Sequence, residues 1–516
     1  MSAASRLTSS REIERKYEVV ADAELPDLSG PSGASVDADT QRLVATYYDT
    51  ADLRLSGSRI TLRHRTGDDV AGWHLKLPLA GAREELHVSA SARTVPKKLQ
   101  SLVRSVIRDA SLVPVASLTT RREVRLLRGP DGRPLAEVVD DRVDGRLLIE
   151  PEAPLLRWRE WEAEDKGDDA DVLDRLEPLL LAAGARPSQA ASKLGRVLAL
   201  TLAPQQDEPW WSGGAAPQAP PSAATVVQAH LREQLDELVR RDPEVRRDLP
   251  DALHKMRVAT RRLRSALRTF APLLERERGG RLYGELAHLA GVLGQVRDVE
   301  VMHARVLALI AQEPDELVLG PVRRRTDTLL RGRERVGRRE VLRELDGDRY
   351  LRLLDDLHEL VADPGFTERA HGPAETVLPP LVRDTWKRLH HTMRAAAKAD
   401  APEQDELLHE ARKRAKAARY AAEAVESAFG KPARRFAAAM EQLQEVLGEH
   451  QDGVVTREVL RELGAASSGA GENGFTFGRL HALEQARAEA AVARWPTVRR
   501  EVSRRRLRRW LDEPDP

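Results

Sequence analysis

The chain has 516 residues, of which 41% are hydrophobic and 32% charged, with a formal net charge of +1 and no cysteine. That length allows two to four domains, while the missing cysteines exclude disulfides and thiolate metal ligands. No apolar run approaches the roughly 18–20 residues that span a bilayer, no N-terminal stretch suits a secretory signal, and the balanced charge gives no argument for nucleic acid, so a soluble, cytoplasmic protein is expected.

Residues 11–16, R-E-I-E-R-K, open a polar–apolar alternation. On a strand, Glu12, Glu14 and Lys16 share one face. Two carboxylates and an ammonium on one face can hold a divalent cation beside an anion, which points to phosphate chemistry with a metal. Alternating segments follow at 42–48, 59–66, 72–78, 83–89, 121–128, 134–143 and 157–164, with turn signals R-T-G-D-D at 65–69 and G-P-D-G at 129–132. This predicts a hairpin-rich antiparallel β-domain, with helices over 97–109, 168–183 and 190–201. Arg63 and Arg65 share a face opposite Leu62, and His74 and Lys76 share a face opposite Trp73, Leu75 and Leu77. Glu160, Glu162 and Glu164 fall at i, i+2, i+4. Arg122, Glu137 and Asp140 come from other strands, and Lys193 starts a late helix. Charged strand positions are ordinarily the solvated face of a half-buried sheet. Here the faces are carboxylate-rich, then arginine-rich, then carboxylate-rich again. In a closed barrel they would point into one lumen, where unpaired like charges are costly and interleaved acid, base, metal and polyanion are satisfied.

E-I-E-R-K at 12–16, L-R-H-R at 62–65, G-W-H-L-K-L-P at 72–78 and the late E-x-E together resemble the CYTH domain of the triphosphate tunnel metalloenzymes, over about residues 8–202. The resemblance implies an eight-stranded antiparallel tunnel that binds a triphosphate and hydrolyses or cyclises it with Mg²⁺ or Mn²⁺. It makes Glu12 and Glu14 metal ligands, joined by Glu162 and Glu164 or by Glu160 and Glu162. Lys16, Arg63, Arg65, Lys76, Arg122 and Lys193 become phosphate ligands, with Arg121 and Arg125 competing for the place of Arg122. Glu12, Glu14, Lys16, Arg63, Arg65 and Lys76 form the expected catalytic group. Glu137 and Asp140 are secondary candidates for metal or water positioning. Guanidinium groups suit bidentate contact with phosphate, and a hard cation takes carboxylate and phosphate oxygens together. With no cysteine nucleophile, the expected reaction is direct attack of water on a terminal phosphorus. No aromatic cluster suits a base, which favours inorganic triphosphate over thiamine triphosphate, a nucleotide or ATP cyclisation.

Residues 203–224 contain five prolines and read as a flexible linker, with Trp210 and Trp211 available to dock. Beyond it the pattern is helical, interrupted by one Gly/Ser/Asn-rich loop at 464–474. An internal repeat stands out. His254, Arg257, Arg261 and Arg264 recur as His409, Arg412, Lys416 and Arg419, offset by 155, and L-G-Q-V-R-D at 293–298 recurs as L-G-E-H-Q-D at 447–452, offset by 154. Such spacing implies a duplicated helical unit. On one helix His254, Arg257, Arg261, Arg264 and Arg268 form a cationic stripe opposite Met256, Ala259, Leu263, Leu267 and Phe270. On the other, His409, Arg412, Lys416 and Arg419 lie opposite Ala411, Ala415, Ala418 and Ala422. A solvated face is the ordinary explanation. Two matching stripes nearly free of carboxylates favour a linear polyanion instead.

These motifs resemble the CHAD domain, the conserved-histidine α-helical domain, over about residues 222–510. The resemblance implies two pseudo-symmetric four-helix bundles that bind inorganic polyphosphate through the stripe residues, with Ala417 standing at the position of Arg262. The expected fold class is therefore α+β multidomain: a β tunnel at 8–202, a linker at 203–224 and an all-α domain at 225–510. The expected function is a metal-dependent triphosphatase tethered to a polyphosphate-binding domain, which could bring it to polyphosphate granules. The rival is a non-catalytic polyphosphate scaffold. Aromatic residues are 4% of the chain, too few to offer much stacking surface to nucleic acid.

Overall fold

The computed structural model describes residues 7–28, 35–79, 82–90, 94–150, 152–167, 171–190, 192–199, 221–400 and 403–512. Two compact units divide between Gly213 and Gly214. Most of the expected linker, including Trp210 and Trp211, lies outside the described residues.

The first unit contains strands β1 (Leu7–Glu12), β2 (Glu14–Glu18), β3 (Ser35–Asp49), β4 (Thr61–Thr66), β5 (Gly72–Leu79), β6 (Ala82–Val88), β7 (Val113–Arg128), β8 (Pro134–Leu147), β9 (Leu156–Asp165) and β10 (Arg186–Pro187). Its helices are α1 (Arg54–Gly57), α2 (Lys97–Leu102), α3 (Arg104–Ile107), α4 (Val172–Ala182) and α5 (Lys193–Leu198). The strands form one antiparallel sheet in the order β1-β6-β5-β4-β3-β7-β8-β9-β2-β10. Ten strands replace the expected eight because the opening run breaks at Ile13 and the two-residue β10 is added. The break matters. β1 pairs with β6 from Leu7↔Val88 to Glu12↔Arg83, and β2 pairs with β9 from Glu14↔Glu164 to Glu18↔Glu160. One stretch of chain thus joins both sides of the order and closes the sheet.

All eight alternating segments are strands, but β3 and β7 begin earlier than their patterns suggest. Pro114 argues against a strand at the start of β7. It is accommodated where the register of β3 slips between Tyr47↔Ala116 and Tyr48↔Pro114, a place in the ladder where a residue without an N–H is tolerated. The sheet is inside-out relative to a usual half-buried one. Leu62, Trp73, Leu75, Leu77 and Leu86 pack against Leu99, Leu102 and Ile107 of α2 and α3. Tyr17, Val138, Trp161 and Ala163 pack against Leu173, Leu176 and Leu180 of α4. With these apolar faces turned toward helices, the charged faces turn inward.

The second unit is helical: α6 (Ala223–Arg246), α7 (Ala252–Thr269), α8 (Arg276–Gln312), α9 (Val322–Leu345), α10 (Asp348–Ala362), α11 (Ala374–Ala396), α12 (Glu403–Glu423), α13 (Glu426–Phe429), α14 (Lys431–Gly469) and α15 (Phe475–Val502). The expected loop at 464–474 is shorter than its composition suggests, because α14 continues to Gly469 with Ser467 buried. Met256, Ala259, Leu263 and Leu267 of α7 and Ala411, Ala415, Ala418 and Ala422 of α12 are buried as their periodicity requires. Both repeats contribute to one continuous apolar cluster, and a second cluster joins Val306, Leu330, Leu463 and Phe477 of α8, α9, α14 and α15. Helices of both repeats therefore share these cores. Among the described residues no helix is long and apolar enough to cross a membrane.

Candidate functional site

The inward faces of the first unit enclose a cavity of about 620 Å³ that brings together Glu12, Glu14, Lys16, Arg63, Arg65, Lys76, Arg122, Glu162, Glu164 and Lys193. Its charges fall into three groups.

The most buried group centres on Asp141, which is 0% exposed. Arg122 grips it with two bonds, Nε–Oδ1 at 2.8 Å and Nη2–Oδ2 at 2.7 Å, and also reaches Glu162 at 3.2 Å. Lys193 Nζ lies 2.9 Å from Asp141, 2.7 Å from Glu160 and 2.8 Å from Glu162. It is placed there because Ser192 caps α5, accepting from the Gly195 amide at 2.9 Å, which fixes the helix start. Lys16 bonds Glu162 and lies 3.1 Å from Glu14. Burial opposes the ionised form of each carboxylate most strongly. The cations nevertheless prevail: Lys193 and Arg122 hold Asp141 low, Lys16, Lys193 and Arg122 hold Glu162 well below the carboxylate range, and Lys16 holds Glu14 low.

The second group is carboxylate-rich. Register places Glu14 beside Glu164 and Glu164 beside Glu137 across β2, β9 and β8. Lys166 lies 2.8 Å from Glu164 and 3.7 Å from Glu137. Burial, with Glu12 and Glu137 nearby, raises the pKa of Glu164 against the pull of Lys166. Lys76 Nζ sits 2.6 Å from both oxygens of Glu12. Like charges in register on neighbouring strands are destabilising, so this row favours a cation.

The third group is cationic. Arg63 lies 3.3 Å from Glu85 and Arg65 2.7 Å from Asp68, yet the buried Nε of each has no acceptor among the described residues. Burial and Arg63 lower Arg65 to about 10. His74 faces Glu85 at 3.0 Å through Nδ1 and the Val70 carbonyl at 2.9 Å through Nε2. Burial lowers it to about 4, and a neutral ring can donate to only one of those acceptors.

In the second unit the two stripes meet. Burial, then Arg261, Arg412 and Arg257, lowers Lys416 to about 7, so cations of α7 stand close to α12. The repeated L-G-x-x-x-D motif has a matching role in each half. A Cβ at Gly294 would lie 3.4 Å from Arg257 Nη2, and one at Gly448 would lie 3.4 Å from Arg412 Nη2. Asp298 receives Arg257 at 3.2 Å, and Asp452 receives Arg412 at 3.3 Å. Glycine leaves room for the guanidinium to lie against the helix, and the aspartate one turn on holds it.

Residues 10–184 match the CYTH domain family model, and residues 229–461 match the CHAD domain family model. Two uncharacterized proteins of Mycobacterium tuberculosis are each 37% identical over 502 residues, covering 93% of either chain. The chain belongs to the CYTH–CHAD family. Similar solved structures include PptA from Streptomyces chartreusis, at 21% identity over 54% of this chain and 99% of that one, TM-score 0.45. The CHAD domain from the plant Ricinus communis is 23% identical over 58% and 94%, TM-score 0.38. A putative adenylyl cyclase from Hippeastrum, described as having a dominant triphosphatase activity, is 20% identical over 37% and 98%, TM-score 0.24.

The cavity of this CYTH–CHAD protein takes in some of the expected residues and turns others away. Arg122 lines the cavity, whereas Arg121 and Arg125 do not. Glu160 is turned from the open cavity, held by Lys193 and by Trp158 Nε1 at 2.6 Å. Asp140 lies on the outer face in a two-pronged pair with Arg159 at 2.8 and 2.6 Å, and Asp141 is the inward residue. Strand parity with Glu137 could have identified it. Glu85 and Asp68, which face the arginines, carried no comparable signal. The stripes are also less free of carboxylates than expected, through Glu423 of α12 itself and Glu441 of α14. Arg419 pairs with Glu423 at 2.6 Å and with Glu441 at 2.7 Å, and Arg262 pairs with Glu423 at 2.8 Å.

CYTH tunnel enzymes depend on a metal, and oxygen donors of this kind suit a hard divalent cation. Oxygens of Asp141, Glu160 and Glu162 lie within 4.8 Å of one another. Lys193, however, already supplies the positive charge at their centre. Glu12, Glu14, Glu137 and Glu164 are less fully neutralised and fit a cation better.

Proposed function

We propose that the CYTH domain, residues 8–202, hydrolyses inorganic triphosphate with Mg²⁺ or Mn²⁺, and that the CHAD domain, residues 225–510, binds inorganic polyphosphate, the two being joined through 203–224. The observation that carries the catalytic reading is the pairing of buried, acceptor-less arginine Nε donors with a facing row of under-neutralised carboxylates. On this reading Glu12, Glu14 and Glu164, with Glu137 and Glu162 adjoining, hold the metal. Lys16, Arg63, Arg65, Lys76, Arg122 and Lys193 hold phosphate oxygens. A divalent metal held by these carboxylates would supply positive charge to offset that developing on the transferred phosphoryl group. Lys76 and Lys16, clamped on Glu12, Glu14 and Glu162, would be freed to bind phosphate as metal takes over their carboxylates. Arg63 and Arg65 fix the far end of the anion, so a terminal phosphorus faces the carboxylate row, where water is oriented. Phosphate release from triphosphate should require Mg²⁺ or Mn²⁺ and exceed that from thiamine triphosphate or nucleoside triphosphates. Faster turnover of either organic substrate would replace the inorganic one, and no metal-dependent release from any would leave the scaffold reading.

The polyphosphate reading rests on the meeting of the stripes at Lys416, and it carries a pH signature. A lysine near 7 is partly neutral at neutral pH, and a bound polyanion would raise it again, so binding takes up a proton. Affinity for long-chain polyphosphate should therefore fall as pH rises from 6 to 8, by at most about tenfold per pH unit for one proton. Titration calorimetry in buffers of different ionisation enthalpy reads the proton directly. Lys416→Met should flatten the dependence, and an unchanged pH profile in that variant would rule Lys416 out.

A further inference from the structure

A second cationic feature lies on the opposite side of the closed sheet. In strand register Arg42 faces Arg121, Arg121 faces Arg142 and Arg142 faces Arg159, across β3, β7, β8 and β9. At about 4.8 Å per strand this is a row of roughly 14 Å. All four point outward by strand alternation, because Leu43 and Arg122 beside Arg42 and Arg121, and Val139 and Glu162 three residues from Arg142 and Arg159, line the inner cavity. Arg42, Arg121 and Arg142 are exposed, and none has an ion pair among the described residues. Of the carboxylates nearby, Asp140 pairs with Arg159 at one end of the row, with Glu123 and Asp22 adding negative charge there, while Asp144 pairs with Arg157 at 3.2 Å and Glu18 with Arg196. Like charges directly opposite one another on adjacent strands destabilise a sheet, and no ion pair among the described residues offsets Arg42, Arg121 or Arg142. A shallow cavity of about 760 Å³ lies over it.

We propose that this outer row is an anion site that takes a chain of phosphates, inorganic polyphosphate, lying across the strands outside the cavity. The site is independent of the tunnel reading. Guanidinium groups at successive strand positions match an anion with charge at every unit of its length. Single-stranded nucleic acid fits less well, because base stacking needs an open aromatic face. The one aromatic ring beside the row, Trp158, is covered by Arg196 at 5.6 Å and tied to Glu160 through its indole N–H. An acidic peptide would lack the apolar anchor that protein contacts usually require.

Arginine modification by phenylglyoxal, mapped by mass spectrometry on the full chain, reads the site locally and is not masked by binding elsewhere. Polyphosphate at about ten times its dissociation constant should slow modification of Arg42, Arg121 and Arg142 roughly tenfold. Exposed Arg133, outside the row, should react unchanged. Inorganic phosphate at equal phosphorus concentration should protect much less, since it cannot span the row. Equal or stronger protection by a single-stranded oligonucleotide of matched charge would overturn the proposal in favour of nucleic acid. Unchanged rates with polyphosphate would overturn it outright, whatever the triphosphatase assay shows.

Discussion

Changing Glu12 and Glu14 together to glutamine should lower metal-dependent phosphate release from triphosphate by about 10²–10³-fold or more, the scale on which removing one preorganised electrostatic contact acts. The substitution keeps size and removes two negative charges from the carboxylate row. Its effect on binding should run the other way. Lys76, now held at 2.6 Å by both oxygens of Glu12, would be released toward an incoming anion, and two charges that repel phosphate would be gone. Triphosphate affinity measured without metal should therefore hold or rise while turnover collapses. An Arg65→Gln change should do the reverse, weakening metal-free binding because it removes a buried donor with no other acceptor. That opposition separates metal ligands from phosphate ligands. Full activity in the double glutamine variant would sink the metal assignment. Joint loss of activity and metal-free affinity would mean that the carboxylates only shape the cavity.

The elements of this reading that were legible in the sequence obey a two-residue period. Glu12, Glu14 and Lys16 face inward because the alternation carries across the break at Ile13, and Leu62, Trp73, Leu75 and Leu77 face the helices by the same two-residue rule. The same rule picks Asp141 over Asp140 once Glu137 and Val139 are placed inside, and Arg122 over Arg121 once Thr120 and Val124 are. Which strands lie side by side was not legible. The row of Glu14, Glu164 and Glu137 and the row of Arg42, Arg121 and Arg142 exist only because β9 joins β2 to β8 and because β7 sits between β3 and β8. Register is set by turns, bulges and the demand to bury one face, none of which a motif records.

The helical half repeats the lesson at a different period. Periodicity of 3.6 assigned the buried faces of α7 and α12 correctly. It could not show that Glu423, one turn beyond Arg419 on the same helix, also receives Arg262 from α7. Nor could it show that the repeated glycine exists for the arginine of a neighbouring helix. Gly294 and Gly448 meet Arg257 and Arg412 at the same 3.4 Å, which turns two sequence motifs into one structural device. Both halves carry the device, while single positions such as Ala417 differ from their counterparts.

Lys193 offers the sharpest test of how the first unit is held together. Its ammonium is shared by Asp141, Glu160 and Glu162, which are 0%, 3% and 8% exposed. Lys193→Met keeps the apolar stem and removes the charge, which should cost about 3–5 kcal/mol, the scale of stranding a buried ionic partner. Arg122 would still hold Asp141 and Lys16 would still hold Glu162, but Glu160 would keep only the Trp158 indole. In the native protein Asp141 and Glu162 have folded pKa values below their unfolded ones, so their contribution is present above about pH 4 and fades as pH falls through the folded values. Without Lys193 one of the cations that outweigh burial is gone, so those folded values would rise toward the unfolded ones and the contribution would shrink. The deficit of the variant should thus be large at pH 7 and shrink as pH falls below about 4. Amide hydrogen exchange in β8 and β9 reports this unit without interference from the helical one. Were Lys193 only a phosphate ligand on a preformed wall, its loss would weaken triphosphate binding and leave exchange untouched. Its place among three buried carboxylates argues that removing it loosens the wall first, and that the loss of substrate affinity follows from that.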